Sequence, residues 1–220
     1  MEKYALIIAG PSGAGKTTVA DKLIEKLGTF EMSRSATTRE KRGDGKDNEY
    51  IYLQKDEFLT AMADGDILES TEYSGNYYGT RKCELERIWD MNKNPILVLD
   101  YNGVKSLKEH LDCKVFAIYV YTTLAEAKSR LAEREARTGA ADGGIAVVEK
   151  RIRENVADYK KLYTMAELFD AYVENSDLAL CIENTEKAIA KLESGREATS
   201  LVDKLRITNV FKRDADTFVI

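Results

Sequence analysis

A short apolar run followed by a glycine-rich segment constrains the fold of this chain more than any other feature. Residues 4–9 are typical of a buried strand, and the pattern Gly10-x-x-x-x-Gly15-Lys16-Thr17 follows directly and opens a helical pattern. Glycines let a backbone turn tightly and direct its N–H groups at phosphate oxygens, and the start of a helix adds positive dipole. The stretch therefore predicts a phosphate-binding loop between a strand and a helix.

The side chains of this loop carry the chemistry that a nucleoside triphosphate requires. Lys16 can reach the β- and γ-phosphates, and the hydroxyl of Thr17 can hold Mg²⁺. A glycine-rich turn that binds nothing is the alternative, but the lysine, the hydroxyl and both flanking elements agree with a nucleotide site. We predict that ATP contacts the loop and the first helical residues: Gly10, Pro11, Ser12, Gly13, Ala14, Gly15, Lys16, Thr17 and Thr18.

The composition favours one soluble α/β domain. The chain has 220 residues, 44% of them hydrophobic and 32% charged, which suffices for a sizeable core with inserted subdomains. Its net charge of −5 disfavours a general nucleic-acid binder, and no apolar run approaches the roughly 18 residues of a membrane span. The chain enters a strand almost at once, so we expect no signal peptide and a cytoplasmic location.

The cysteines and the single histidine do not indicate a metal site or a catalytic base. Cys83, Cys113 and Cys181 are scattered and lack metal-binding spacing, so we expect them to be packing residues in a reducing compartment. His110 lies in a Lys/Glu-rich stretch and is predicted to be a solvated helix residue.

Strands alternate with helices along the chain, which predicts a mostly parallel, doubly wound sheet. The predicted strands after the first are 30–33, 49–53, 67–73, 95–100, 113–120 and 171–175, with one or two more over 201–220. The predicted helices after the loop are 57–63, 103–111, 124–137, 145–169 and 185–192. Asp56 is the expected cap of the helix at 57–63, and Ser74–Thr80 is expected to be a turn.

Three segments of different character indicate the domain organisation. A core domain takes residues 1–34, 95–123 and 170–220, and Asp100 is expected at its ligand-binding crevice. Residues 35–94 form a small inserted β/α subdomain, in which Arg39 and Arg42 are three apart and can converge on one phosphate; a solvated loop is the alternative.

Residues 124–169 are predicted to form a helical lid over a phosphate site. Arginines lie on both sides of a Gly-rich break at 138–144, namely Arg130, Arg134, Arg137, Arg151 and Arg153. The alternative is an amphipathic hairpin whose charges are solvated. A mobile pair of arginine-bearing helices suits an enzyme that must close over phosphates.

With these residues assembled, the sequence resembles the guanylate kinase family from about residue 4 to about 192. The resemblance rests on five motifs: the loop at 10–17, Ser33-x-Ser35-x-Thr37-Thr38-Arg39-x-x-Arg42, Glu49-Tyr50-x-Tyr52, Gly75-Asn76-Tyr77-Tyr78-Gly79-Thr80 and Asp100-x-x-Gly103. The first motif is common to many nucleotide enzymes, whereas the second and fourth are far more specific. The resemblance implies a three-layer P-loop kinase fold.

The resemblance also implies roles for individual residues. Ser35, Arg39, Arg42, Tyr50 and Tyr78 match residues that hold the phosphate of GMP. Glu69, Thr80 and Asp100 match residues that contact its base. Lid and hinge residues that act on the transferring phosphates match Arg130, Arg134 and Arg151, and Asn175 matches a residue near the donor adenine. The implied catalytic residues are Lys16, Arg39, Arg42, Arg134 and Arg151, and the implied Mg²⁺ ligands are Thr17 and Asp100.

The implied activity is transfer of the ATP γ-phosphoryl to GMP, and to dGMP, within purine nucleotide metabolism, with ATP and GMP as substrates and Mg²⁺ as cofactor. Guanine presents N1–H and N2–H₂ donors, so its pocket needs acceptors such as Glu69, which AMP would leave unpaired. A phosphate monoester is largely ionised at pH 7, so the acceptor needs no general base. The sequence leaves the oligomeric state open.

Three departures from the family pattern stand out. Val98 occupies the position two residues before Asp100 where the family usually has a second acid, and Glu135-Ala136-Arg137-Thr138-Gly139 replaces the family's lid tip. Arg137 could then substitute for Arg134. The tail beyond about residue 195 is longer than the pattern requires.

Two other functions are compatible with parts of the sequence. A phosphotransferase for another acceptor would need a different pocket, and the intact set of Tyr50, Glu69, Tyr78 and Thr80 argues against it. A non-catalytic guanylate-kinase-like module that binds phosphorylated partners would have lost its phosphate-binding loop, whereas this chain keeps the loop's lysine and threonine.

Overall fold

A computed structural model describes residues 2–41, 47–73, 75–137 and 141–219, and over these residues the chain has nine strands and eight α-helices. The chain divides into two compact units. The first unit comprises Met1–Ile7 and Leu23–Val115, and the second unit comprises Ile8–Lys22 and Phe116–Ile220. The strands are β1 Tyr4–Ala9, β2 Phe30–Met32, β3 Ser35–Thr37, β4 Tyr50–Tyr52, β5 Ile67–Tyr73, β6 Asn76–Arg81, β7 Asn94–Val98, β8 Lys114–Tyr121 and β9 Ala171–Glu174. The helices are α1 Lys16–Leu27, α2 Lys55–Ala63, α3 Lys82–Asp90, α4 Tyr101–His110, α5 Leu124–Arg137, α6 Ala141–Leu162, α7 Leu178–Glu193 and α8 Leu201–Thr217.

The strands form two sheets. The five-stranded sheet has the strand order β2-β7-β1-β8-β9, and both β2 with β7 and β8 with β9 pair in parallel. All six residues of β1 are buried, as expected for a parallel strand that is covered on both faces. The four-stranded sheet has the order β4-β3-β6-β5, in which β3 and β5 are both antiparallel to β6. The predicted α/β class with a mostly parallel central sheet is confirmed.

Most predicted elements lie where the sequence pattern puts them. The bounds of β1, β5 and α5 agree with the prediction at both ends. The two compact units have other boundaries, and the predicted division into core, inserted subdomain and lid stays a prediction.

The predicted strands over residues 201–220 are wrong, because this segment forms helix α8. The hydroxyl of Ser200 caps it by accepting from the Asp203 N–H at 3.2 Å. Its buried residues recur every three or four positions, which is the period of a helix: Lys204, Thr208, Phe211 and Ala215.

Helix α8 packs against α6 and β8 within the second unit. The Phe211 ring lies 4.7 Å from that of Tyr159 in α6 and 4.6 Å from that of Tyr121 in β8, between centroids. The carboxylate of Asp214 accepts from the N–H of Leu124 at 3.0 Å. Because Leu124 begins α5, this bond satisfies an N–H that has no partner within its own helix.

Smaller differences from the prediction concern element ends. Helix α2 begins at Lys55 rather than 57, so Asp56 does not cap it; the N-cap is Gln54, whose N–H donates to Glu57 at 2.8 Å. The expected turn at 74–80 is mostly strand β6, apart from Ser74, which lies outside the described residues. Of the expected break at 138–144, Thr138–Ala140 lie outside the described residues and the rest is helical.

Two further expectations receive corrections. Helix α7 begins at Leu178, seven residues earlier than predicted, with Asp177 as its cap. Of the three cysteines only Cys181 is a buried packing residue, whereas Cys83 is exposed and contacts Asp66. Among the described residues, every helix is too short or too polar to cross a membrane.

Candidate active site

The glycine-rich loop between β1 and α1 is pressed against its neighbours so closely that side chains do not fit. Gly10 has φ +145°, and a Cβ there would lie 1.9 Å from the carbonyl oxygen of Val120 in β8. Gly15 has φ +84°, and a Cβ there would lie 2.6 Å from the amide nitrogen of Asn175. Backbone conformation and space both require glycine at position 10, and the positive φ favours glycine at position 15.

The start of α1 presents N–H groups beside the loop. Its first backbone hydrogen bond runs from the N–H of Val19 to the carbonyl of Gly15 at 3.0 Å, so the N–H groups before Val19 lack a carbonyl one turn earlier in the helix. The ammonium of Lys16 donates to the carbonyls of Gly10 at 2.9 Å and Pro11 at 3.0 Å. Main-chain donors, a helix N-terminus and a cation thus gather at one loop, an arrangement that suits phosphate.

Two residues assigned to the ATP site by resemblance meet at this loop. The side-chain amide of Asn175 donates to the carbonyl of Ala14 at 2.7 Å. The carbonyl of Asn175 accepts from the guanidinium of Arg130 at 2.6 Å. The second unit therefore brings together the loop, Arg130 of α5 and the residue that follows β9.

Helix α6 also contacts the loop, through a residue that the sequence analysis missed. The Asn155 amide oxygen accepts from the N–H of Ser12 at 2.9 Å, and its nitrogen donates to the Ser12 carbonyl at 2.8 Å. A buried asparagine in a helix gives no sequence signal of such a contact. Arg151 lies one turn before Asn155 in α6 and is half-buried. Arg134 lies in α5, where its guanidinium Nη2 is 3.5 Å from the carboxylate Oε1 of Glu135.

The first unit brings together the residues assigned to the GMP phosphate. Ser35 in β3 lies opposite Tyr50 in β4, and the Tyr50 ring is 6.3 Å from that of Tyr78, edge to face. The guanidinium of Arg39 lies 5.3 Å from the centroid of the Tyr50 ring and donates to the hydroxyl of Tyr52 at 3.2 Å. Arg42 lies outside the described residues.

Tyr52 is a second residue that was not predicted for the site. Tyr52 belongs to the motif Glu49-Tyr50-x-Tyr52, but the motif does not predict its contact with Arg39. Its signal was available, because residues two apart in a strand share a face and Tyr50 was already assigned.

The residues assigned to the guanine base also converge. Glu69 in β5 lies opposite Thr80 in β6, whose hydroxyl donates to the Glu69 carboxylate at 2.7 Å. Burial raises the pKa of Glu69. The hydrogen bond from Thr80 opposes this shift, whereas the negative charge of Asp100 adds to it. Asp100 does not end a strand as predicted, because β7 ends at Val98; Asp100 is the N-cap of α4 and accepts from the Gly103 N–H at 2.9 Å.

The two residues assigned to Mg²⁺ belong to different units, Thr17 to the second and Asp100 to the first. Both are exposed, and hydroxyl and carboxylate oxygens are hard ligands that suit this ion. Among the described residues no three His, Cys, Asp or Glu side chains group as a metal cage. Mg²⁺ at nucleotide sites is typically held by one or two protein oxygens and by phosphates, and each of these two side chains is chemically suited to be such a ligand.

The chain matches the family model described as guanylate kinase over residues 2–192. A guanylate kinase from Clostridium perfringens (strain SM101 / Type A) is 34% identical over 203 residues, which cover 92% of this chain and 84% of that relative. A guanylate kinase from Porphyromonas gingivalis is 35% identical over 190 residues, which cover 84% of this chain and 96% of that relative. The crystal structure of guanylate kinase from Anaplasma phagocytophilum superposes with a TM-score of 0.53 at 24% identity, over 97% of this chain and 87% of that one.

The fold and the loop define a P-loop kinase, and the likeness to the crystal structure supports that fold. The family-model match and the identity to both relatives are more specific. This chain belongs to the guanylate kinase family. The predicted family is therefore confirmed, and the roles of individual residues stay predictions.

Proposed function

We propose that this chain catalyses transfer of the γ-phosphoryl group of ATP to GMP and dGMP, yielding ADP and the nucleoside diphosphate. The observation that carries this proposal is the Glu69–Thr80 pair in the acceptor pocket, together with a phosphate-binding loop that keeps its lysine. A carboxylate at that place suits the two donors on the Watson–Crick edge of guanine. A half-buried, hydrogen-bonded carboxylate discriminates against a base that lacks those donors.

The donor phosphates bind at the loop of the second unit. Main-chain N–H groups at the start of α1 and the ammonium of Lys16 receive the β- and γ-phosphates. Thr17 and Asp100 offer oxygen ligands that would suit Mg²⁺, and the ion would neutralise charge on the phosphates. Arg130 and Asn175, which share a hydrogen bond at this loop, are the residues that would contact the donor nucleotide beyond its phosphates.

The acceptor phosphate binds at the Arg39 cluster of the first unit. Arg39 is held by the Tyr52 hydroxyl and the Tyr50 ring, which fixes the direction of its planar fork. Ser35 and Tyr78 supply hydroxyl groups on neighbouring strands, and Arg42 supplies a second cation. This cluster both binds the phosphate and orients its oxygen.

Transfer then requires positioning and charge neutralisation rather than a base. An oxygen of the GMP phosphate attacks the γ-phosphorus in line, the bond from that phosphorus to the β,γ-bridging oxygen breaks, and ADP leaves with the electron pair. The acceptor oxygen is already ionised at pH 7. Lys16, Arg134 and Arg151 neutralise charge on the equatorial and leaving oxygens.

The experiment measures ADP release from ATP and Mg²⁺ with GMP, dGMP, AMP, CMP, UMP or no acceptor. We expect rapid release with GMP and dGMP alone, and its loss in the Lys16→Met variant. Release with another acceptor in place of GMP would refute the assignment of the acceptor pocket. Binding of GMP without any ADP release, in the presence of bound ATP, would refute the catalytic role.

We also propose a cytoplasmic location. All three cysteines are free thiols, which is the usual state in a reducing compartment.

A further inference from the structure

Asn155 of α6 makes a two-point contact with the phosphate-binding loop. Its amide oxygen and nitrogen pair with the N–H and the carbonyl of the same residue, Ser12, at 2.9 and 2.8 Å. The residue is only 2% exposed, so water does not compete for these bonds. A carboxamide is a donor and an acceptor on one planar group, which matches the two main-chain atoms of one residue.

We propose that Asn155 is a positioning residue, which fixes α6, and with it Arg151, relative to the phosphate-binding loop. This inference rests on the proposed function, because it assigns Asn155 a role through the arginine that acts on the transferring phosphates. Asn155 itself touches no reacting atom.

The spacing of residues on α6 supports this coupling. Arg151, Asn155 and Tyr159 are four residues apart, so they lie along one face of the helix, with about 6 Å of rise between successive members. The hydroxyl of Tyr159 donates to the carbonyl of Thr122, and its buried ring stacks on Phe211. Asn155 and Tyr159 therefore anchor two successive turns, and Arg151 lies on the next turn.

Anchors on two successive turns of the same face hinder both rotation of a helix about its axis and sliding along it. Arg151 consequently has a backbone whose place relative to the loop is set before any substrate binds. Phosphoryl transfer is sensitive to such placement, since a misplacement of about 1 Å at a reacting group lowers rates by about 100-fold. Without Asn155, α6 keeps the packing of Val148 and Ile152 against α5 and the anchor at Tyr159, but it loses both of its hydrogen bonds to the loop.

A double-mutant cycle with Asn155→Ala and Arg151→Ala tests the inference. We expect Asn155→Ala to lower kcat by about 10- to 100-fold, with the KM for GMP within about twofold of wild type because the acceptor cluster is untouched. If Asn155 acts through Arg151, the double variant is no more than about twofold slower than Arg151→Ala alone.

Asn94 provides a matched control for the loss of a buried amide. Its side chain also pairs with main-chain atoms, accepting from the Tyr4 N–H at 3.2 Å and donating to the Glu2 carbonyl at 3.3 Å. Asn94→Ala should lower the melting temperature while leaving kcat within about twofold of wild type at an assay temperature well below its melting point. Should Asn155→Ala fail to fold, Asn155→Ser keeps a small polar group that is too short to span both Ser12 atoms.

The possible outcomes separate the inference from the function on which it rests. Additive losses in the double variant, or wild-type kcat in Asn155→Ala, overturn the inference alone. Wild-type kcat in Arg151→Ala overturns it too, because the residue through which Asn155 acts would then have no role. A wild-type protein that shows no GMP-dependent turnover overturns the proposed function and this inference with it.

Discussion

The hydroxyl of Thr80 donates a 2.7 Å hydrogen bond to the carboxylate of Glu69 from the facing position of the adjacent antiparallel strand. Thr80 is only 2% exposed, and Asp100 lies close enough for its charge to raise the pKa of Glu69. The pair thus places a half-buried carboxylate, whose ionisation burial opposes, at the position where the guanine base is expected. A ligand that donates hydrogen bonds to the Glu69 carboxylate would offset the cost of this burial.

Glu69→Gln should lower kcat/KM for GMP by about 10- to 100-fold, because a charged hydrogen bond to guanine is worth about 1–3 kcal/mol. The KM for ATP should stay near the wild-type value. Glu72→Gln is the matched control, since Glu72 is exposed on the same strand and an odd number of residues away, on the opposite face. Steady-state kinetics with both nucleotides checks the prediction, and equal effects of the two variants would contradict it.

The same substitution should not destabilise the ligand-free protein. The pKa of Glu69 is raised in the folded chain, so its stabilising contribution is present at low pH and is lost as the pH rises through the folded pKa. At pH 7 the wild type therefore carries a penalty that Gln lacks. We expect the melting temperature of Glu69→Gln to equal or exceed that of wild type at pH 7, and a lower value would contradict the assigned burial.

Tyr52→Phe should weaken GMP binding while the ring remains in place. The hydroxyl of Tyr52 accepts from Arg39 at 3.2 Å, and a hydrogen bond to a charged group is worth about 1.5–3 kcal/mol when intact. Partial exposure reduces this, so we expect the KM for GMP to rise by about 3- to 10-fold. Tyr77→Phe serves as control because Tyr77 faces away from Tyr78 on β6, and an unchanged KM in Tyr52→Phe would argue against the role of its hydroxyl.

Glu84→Gln should lower the stability of the first unit in a pH-dependent manner. Burial opposes ionisation of Glu84, but hydrogen bonds from Arg87 at 2.8 Å and Arg34 at 2.9 Å outweigh it and lower its pKa to about 2. Stability from this carboxylate is thus present above its unfolded pKa of about 4.5 and is lost as the pH falls towards 2.

We therefore expect Glu84→Gln to reduce the free energy of unfolding by about 1–3 kcal/mol at pH 7, with the difference from wild type shrinking below about pH 4.5. Thermal unfolding at several pH values measures this. The exposed Glu86 on the same helix provides the control variant Glu86→Gln. A difference that does not depend on pH would show that the carboxylate charge is not responsible.

Phe211→Ala should destabilise the second unit by about 3–5 kcal/mol, the range for deleting a buried aromatic ring. Phe211 is 4% exposed and its ring contacts Tyr121 and Tyr159. Val210 is 61% exposed beside it, so Val210→Ala should change stability by less than about 0.5 kcal/mol. Similar urea midpoints for Phe211→Ala and wild type would contradict the packing of α8.

Local patterns predicted those parts of the fold whose stability is decided locally. The apolar run of β1, the loop and the start of α1 follow from residues that are adjacent in sequence, and the prediction holds for each of them. The sequence of residues 201–220 predicts strands because part of it alternates between apolar and polar residues. The segment is helical because Ser200 caps it, its buried residues recur at helical spacing, and Phe211 contacts aromatic rings from the distant β8 and α6; only the last of these is invisible in the local sequence.

The candidate site divides in the same way. Residues assigned through the family resemblance, such as Arg39 with Tyr50 and Glu69 with Thr80, do lie together within the first unit. Asn155 was missed because a single asparagine in an amphipathic helix is normally interpreted as a surface residue. Its partner lies 143 positions away, so only the folded chain reveals the contact.

The contact between Asn155 and Ser12 ends on main-chain atoms of the loop residue. Any residue except proline offers the same N–H and carbonyl at position 12, so the partner can change while the contact persists. The two positions therefore need not change in concert as sequences diverge. A coupling of this kind leaves no covariation between its positions, and methods that infer contacts from correlated substitutions will overlook it.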